Sequence, residues 1–162
     1  MDLIHLQQIF PFSGKIEFIS IRPQRLQPVI PLKSVQVVKD HGLKGDHYSN
    51  RGGSRQVTFM QAEHLDVLRA LLNADLDPGQ TRRNIMVRGL NLLALKGRIF
   101  QIGGAIFEYA GECHPCSRME SEIAVGAYNA MRGHGGITAK VLQSGVISIG
   151  DSVCVLHTNV EA

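Results

Sequence analysis

The chain reads as a mainly β protein folded into a closed or nearly closed β-barrel, with one clear helix and a second, shorter one. Three observations predict this. Short alternating or β-branched runs outnumber helical patterns along the 162 residues. Only one segment carries a strong helical period. The strand candidates also follow one another without regularly alternating helices, so a doubly wound parallel sheet is uneconomical, whereas a barrel removes its edges by closing.

Residues 14–22 carry Ile16, Phe18 and Ser20 on one face and Glu17, Ile19 and Ile21 on the other, the pattern of a largely buried strand. Pro23, Pro28 and Pro31 break up the next segment. Residues 34–38 form a short β-branched strand. Residues 40–54, rich in Gly, His, Asp and Asn, read as a loop, and 55–60 resume strand character. Residues 61–72 are the clear helix. Leu65, Leu68, Leu71 and Leu72 recur at helical spacing, with Glu63, Asp66 and Arg69 opposite. Asp77-Pro78-Gly79 is a turn, and residues 81–88 and 97–110 read as strands.

A weaker helix follows Cys116, running through Met119 to Ile123 and ending at Gly126, and 137–142 and 152–157 are the last strands. Cys154, in an alternating strand, reads as a small core residue. Phe100-Gln101-Ile102-Gly103-Gly104-Ala105-Ile106-Phe107 is echoed by Ile147-Ser148-Ile149-Gly150-Asp151-Ser152-Val153-Cys154. Both stretches are predicted to be hairpins turning on glycine.

With 44% hydrophobic and 19% charged residues, the chain suits one globular domain over 1–162. A net charge of +3 and 6% aromatics make no case for nucleic acid or a membrane surface. No apolar run approaches the roughly 20 residues that span a bilayer. Residues 1–12 lack the basic segment and apolar stretch of a secretory signal. Three cysteines cannot all pair, so a reducing cytoplasm is the expected setting. There, a Cys-x-x-Cys is expected to be functional.

That motif is Cys113-His114-Pro115-Cys116, after an apolar run and before the short helix. A helix start and a nearby cation such as Arg118 favour an active thiol. Four chemistries are open: a redox couple, a zinc ligand, a sulfur carrier, or a ligand for a softer metal. A thioredoxin-like arrangement needs βαβ structure and a later proline facing the thiols, yet Pro115 is the last proline and only 46 residues follow Cys116. Structural zinc wants four ligands, and a single pair is present, with His114 and His134 at no standard spacing.

Four further segments are rich in Gly, Arg and His. They are Gly42-Leu43-Lys44-Gly45-Asp46-His47, Gly52-Gly53-Ser54-Arg55-Gln56-Val57, Thr81-Arg82-Arg83-Asn84-Ile85 and Arg132-Gly133-His134-Gly135-Gly136-Ile137. Glycines let backbone amides approach an anion, and arginine forks bind phosphate. Four such loops in a short chain point to a polar, phosphate-bearing ligand. Glu120 reads as a helix-start contact, and His64, on the clear helix, as structural or solvated.

In this order, the Gly45, Arg55, Arg82 and Cys113 segments, with Gln61-Ala62-Glu63-His64 and residues 97–103, resemble the MOSC domains, named for the C-terminal domain of molybdenum cofactor sulfurases. Residues 128–137 and 145–151 look like its small stand-alone bacterial branch. The likeness covers about residues 14–157.

The resemblance implies a barrel related to that of pyruvate kinase and a role with molybdenum cofactor, a phosphate-bearing pterin dithiolene. It implies that Cys116 ligates molybdenum, with Cys113 beside it as a second catalytic candidate. Arg82 and Asn84 match the family's Arg-x-Asn-Ile segment. Asp46, His47, Arg55, Arg82, Arg83, Asn84, Arg118, Arg132 and His134 become the candidate cofactor contacts. Thiolate suits such a soft centre.

The expected activity leans towards an oxidoreductase that reduces N-hydroxylated small molecules, hydroxylated purine bases among them. It would take electrons from an external donor, since no flavin, haem or iron–sulfur motif is visible. The alternative is a carrier or cofactor-binding module, in which Cys116 accepts a persulfide from a separate cysteine desulfurase.

Overall fold

The computed structural model describes residues 2–47 and 53–156. The expected loop at 48–52 and the strand end at His157 lie outside them. In chain order the strands are β1 (Gly14–Ile21), β2 (Ile30–Leu32), β3 (Ser34–Val38), β4 (Gly42–Leu43), β5 (Val57–Gln61), β6 (Ile85–Arg88), β7 (Ile99–Ile102), β8 (Ala105–Glu112), β9 (Ile137–Gln143), β10 (Gly145–Ser148) and β11 (Ser152–Leu156). The helices are α1 (Leu3–Leu6), α2 (Ala62–Leu72), α3 (Arg118–Glu122) and α4 (Ala127–Met131), with 3-10 turns at Pro78–Thr81 and Leu92–Leu95.

β1 closes the barrel. Lys15 pairs with Arg88 of β6 on one edge and with Ser152 of β11 on the other. Seven strands complete the circuit in the order β1, β11, β7, β8, β9, β5, β6, and β2 extends the free edge at the end of β1. A separate sheet holds β10, β3 and β4. The mainly β barrel is thus the observed fold.

Alternation divides the apolar residues between two cores. Phe59, Phe100 and Phe107 meet inside the barrel at ring separations of 5.3 to 5.4 Å, with Ile85, Val87 and Ile137 around them. The intervening Met60 and Met86 point outward, beneath Leu65 and Leu68 of α2, Met119 of α3 and Met131 of α4. The helices therefore cover one wall of the barrel. The amphipathic stripe of α2 provides the apolar surface they share.

Several expectations are corrected. A bulge between Ile16 and Phe18 breaks strict alternation in β1, so Ile16 and Ile19 both enter the barrel core while Phe18 packs under the helices. β5 and β6 run parallel across α2, a crossover unit that the strand count did not reveal. Residues 81–84 are not strand: the Asp77 carboxylate caps the 3-10 turn at Pro78–Thr81, and Arg82 follows at φ +58°. α4, only five residues long, is too short for periodicity to announce.

Of the two echoed stretches, only the first is a hairpin, with Ile102 opposite Ala105. The second is a corner between sheets. β10 pairs with β3, and β11 with β7 and β1. At that corner the Ile149 amide donates to the Lys33 carbonyl and the Gly150 amide to that of Ile16, at 2.9 and 2.8 Å. Those partners hold the turn apart. Cys154 is exposed, because Val153 of β11 is the residue buried in the core.

Candidate functional site

Just beyond the ends of β1 and β8 and the starts of β6 and β9, the chain gathers its polar residues. Asn84, fully buried before β6, organises the floor. Its Oδ1 accepts from Thr58 N and Oγ1 at 3.0 Å each and from Arg22 Nη2 at 2.9 Å. Its amide nitrogen donates to the Ser20 carbonyl and to Asp46 Oδ1, at 3.1 and 3.2 Å. Asp46 also receives Arg22, whose fork carries a buried ion pair of 3.1 Å. The ends of β1 and β6, the Thr58 position of β5 and the Asp46 loop are thus tied together, so the floor is preorganised.

Arg83, next to Asn84, is 7% exposed and turns to the neighbouring loops. It donates to the carbonyls of Gly135, Thr81 and Cys113 at 2.8, 3.1 and 3.1 Å and to that of His114 at 3.4 Å. Burial lowers its pKa most strongly. Cys113 opposes that shift, Arg22 adds to it, Cys116 opposes it and Arg55 adds to it. Both thiols, Arg22 and Arg55 therefore lie within electrostatic reach of Arg83.

The Cys113–Cys116 loop runs from β8 to α3. The Cys113 amide donates to the Gly136 carbonyl at 2.8 Å, and its side chain is half-buried. Cys116 is exposed. A shallow depression beside Cys113 is walled by Leu93, Pro115, Gly133, Gly135 and Gly136. α3 has only five residues, so its dipole is a small influence on the thiol.

The other sequence candidates converge only in part. Asp46 and Asn84 come together in the floor, while Arg83 stands beside them and faces the thiol loop. Arg82 reaches away, donating to the Gln27 carbonyl at 2.7 Å. His47 is half-buried next to Asp46, its amide donating to the Arg22 carbonyl. Arg55 is exposed and touches the Glu112 carbonyl at 3.4 Å, one residue before Cys113. Arg118 is half-buried at the start of α3, and Arg132 is exposed after α4. His134 does not wall the Cys113 depression; its ring lies 4.9 Å from that of His64. Glu120 accepts from the Gly126 and Tyr128 amides at 2.6 and 2.8 Å, holding the start of α4.

Sequence reasoning missed Arg22, Thr58 and Ser20 as parts of the floor. The available signal was a charged residue closing an apolar strand immediately before Pro23. Among the described residues, no three His, Cys, Asp or Glu side chains are grouped to hold a metal ion by themselves. Among the same described residues, no helix is long and apolar enough to cross a membrane.

The MOSC domain family profile matches residues 44–154. No protein with a curated description matches the chain significantly. Among solved structures, the YuaD protein from Bacillus subtilis is similar at 20% identity and TM-score 0.78, over 89% of this chain and 96% of that one. YiiM from Geobacillus stearothermophilus is similar at 19% identity and TM-score 0.71, over 92% and 78%. YiiM from Escherichia coli gives 18% and 0.69, over 91% and 71%. These likenesses concern the fold.

Proposed function

The chain belongs to the MOSC domain family, and from that premise we propose that it binds molybdenum cofactor through Cys116 and reduces N-hydroxylated compounds. The observation that carries the reading is the exposed Cys116 thiol, in electrostatic reach of Arg83 at the end of a barrel whose floor is already tied together.

The donor set fits such a cofactor. A metal that brings its own dithiolene sulfurs asks the protein for a single soft ligand, and Cys116 supplies one. A terminal phosphate asks for arginine forks with donors to spare. Arg55 makes one long hydrogen bond, and the guanidinium groups of Arg118 and Arg132 make none among the described residues. Bound there, the group would supply a two-electron centre able to turn N–OH into N–H and water, with two protons and electrons from an external donor. The chain's own contribution is placement. The Asn84–Asp46–Arg22 floor stays rigid, and Arg83 holds the thiol loop.

The test is purification from a host with intact cofactor synthesis, followed by molybdenum content and pterin fluorescence. The expected result is metal and pterin in the wild type, both lost in Cys116→Ala, with turnover of an N-hydroxylated base when a donor is supplied. Wild-type protein free of both would overturn the reading. An added sulfur on Cys116 after incubation with a cysteine desulfurase and cysteine, without reductase turnover, would favour the carrier function instead.

A further inference from the structure

We propose that Arg83 is a positioning residue, which fixes the Cys113–Cys116 loop to the turns at Thr81 and Gly135 and makes no contact with a ligand itself. The inference deepens the reading above and rests on it only for what Cys116 does.

The guanidinium has five N–H donors, and four hydrogen bonds run from it to backbone carbonyls. They reach Gly135, Thr81, Cys113 and His114, three separate segments of chain. Only a planar fork spans such a set; an ammonium group in its place would serve one segment at a time. Carbonyl dipoles there take the place of water around the buried charge, and little remains to offer a phosphate.

Cys113 is thereby held through both of its backbone groups. Its amide donates to Gly136 while its carbonyl accepts from Arg83. The seam is closed tightly: a Cβ on Gly135 would stand 2.1 Å from the Cys113 carbonyl oxygen and 3.3 Å from Arg83 Nη2. At the other end of the loop, Cys116 is tied through its carbonyl to the Met119 amide at 3.0 Å, one turn within its own segment. α3 is itself docked on the barrel wall by the buried Met119, so the Arg83 end fixes the Cys113 side of the loop, where the chain leaves β8.

Two independent variants break this seam. Arg83→Met removes the fork, and Gly135→Ala wedges Cys113 away while leaving Arg83 in place. Full-length protein from a cofactor-deficient host is alkylated with iodoacetamide, and each cysteine is followed by mass spectrometry. Cys154, exposed on β11, serves as the internal reference. The Cys113-to-Cys154 rate ratio is expected to rise about fivefold in both variants, with Arg83→Lys between them and the wild type. Gly150→Ala, at the corner before β11, has a left-handed φ of +91° and open space around its Cβ, and is expected to leave the ratio unchanged.

Ratios equal to the wild type in Gly135→Ala and in a folded Arg83→Met would overturn the inference. So would a loss of molybdenum from Arg83→Met with wild-type ratios, the signature of a direct phosphate ligand. If wild-type protein from a cofactor-competent host carries no molybdenum, the reading of function fails while the ratios still decide the role of Arg83.

Discussion

Arg22 grips the Asp46 carboxylate with its backbone as well as its side chain. Its amide lies 2.7 Å from Oδ1, Nε 3.2 Å from the same oxygen, and Nη2 3.1 Å from Oδ2. The side chains are 10% and 1% exposed. A buried pair of this kind adds little against a well-packed apolar substitute, yet removing one member strands a charge in low dielectric.

Asp46→Ala is therefore expected to lower unfolding free energy by on the order of 3–5 kcal/mol. The double replacement Arg22→Met with Asp46→Leu is expected to recover part of that loss. Urea unfolding of the three proteins provides the comparison. A single variant within about 1 kcal/mol of wild type would show that the pair does not hold the floor.

The strands were legible because period-2 patterns survive burial on one side, as in β9 and β11. What escaped was long-range. The Ile149–Asp151 corner has the composition of a hairpin turn, and only the partners Lys33 and Ile16, more than a hundred residues away in sequence, make it a corner. The bulge in β1 is similarly silent in the residue pattern.

At the site, Asp46 and Asn84 stood out through their segments, whereas Arg22 and Thr58 join the floor only because the topology brings β1 and β5 to either side of β6. His134 sits in a glycine-rich segment, as an anion-binding loop would, yet its ring meets α2. Spacing carries no information about which way a ring turns.

Gly133 and Gly136 both lie in the left-handed region, at φ +79° and +89°, but face different surroundings. A Cβ at 133 meets nothing within 4 Å, while one at 136 would fall 1.9 Å from the Phe59 carbonyl oxygen. Gly133→Ala should therefore cost only the backbone strain, about 1–2 kcal/mol. Gly136→Ala adds a clash with the β5 backbone. It is expected to lower the melting temperature further than Gly133→Ala, or to prevent soluble expression. Equal melting temperatures for the two would contradict the close approach of β5 and β9.

The arginines around the thiols should make Cys116 favour an anionic reagent. Iodoacetate and iodoacetamide differ chiefly in charge, so their rate ratio at Cys116, normalised to Cys154, reads the local field. Arg55→Ala and Arg118→Ala should each lower that ratio about twofold at low salt, and 0.5 M salt should shrink the difference. An unchanged ratio in both would remove these residues from the site's field.

His64, packed against His134, gives the chain a specific acid sensitivity. Their rings meet edge to face at 4.9 Å, and His134 Nδ1 lies 2.9 Å from the Ala130 carbonyl. His64 Nδ1 is buried with no hydrogen-bond partner among the described residues. Burial holds the His64 pKa below its ordinary value of 6.5, His134 lowers it further, and Glu63 opposes both. The unfolded chain thus takes up this proton before the folded one does. Stability is then lost as pH falls through 6.5, until the folded His64 itself protonates, and above that range the group contributes no slope.

In wild type the melting temperature is expected to drop between about pH 7.5 and about pH 5.5. His64→Leu, which removes the unpartnered nitrogen and the titration together, should flatten that drop. Thermal melts across the window make the comparison directly. Parallel curves for the two proteins would mean that the histidine contact between α2 and the 131–136 segment is not what senses acid.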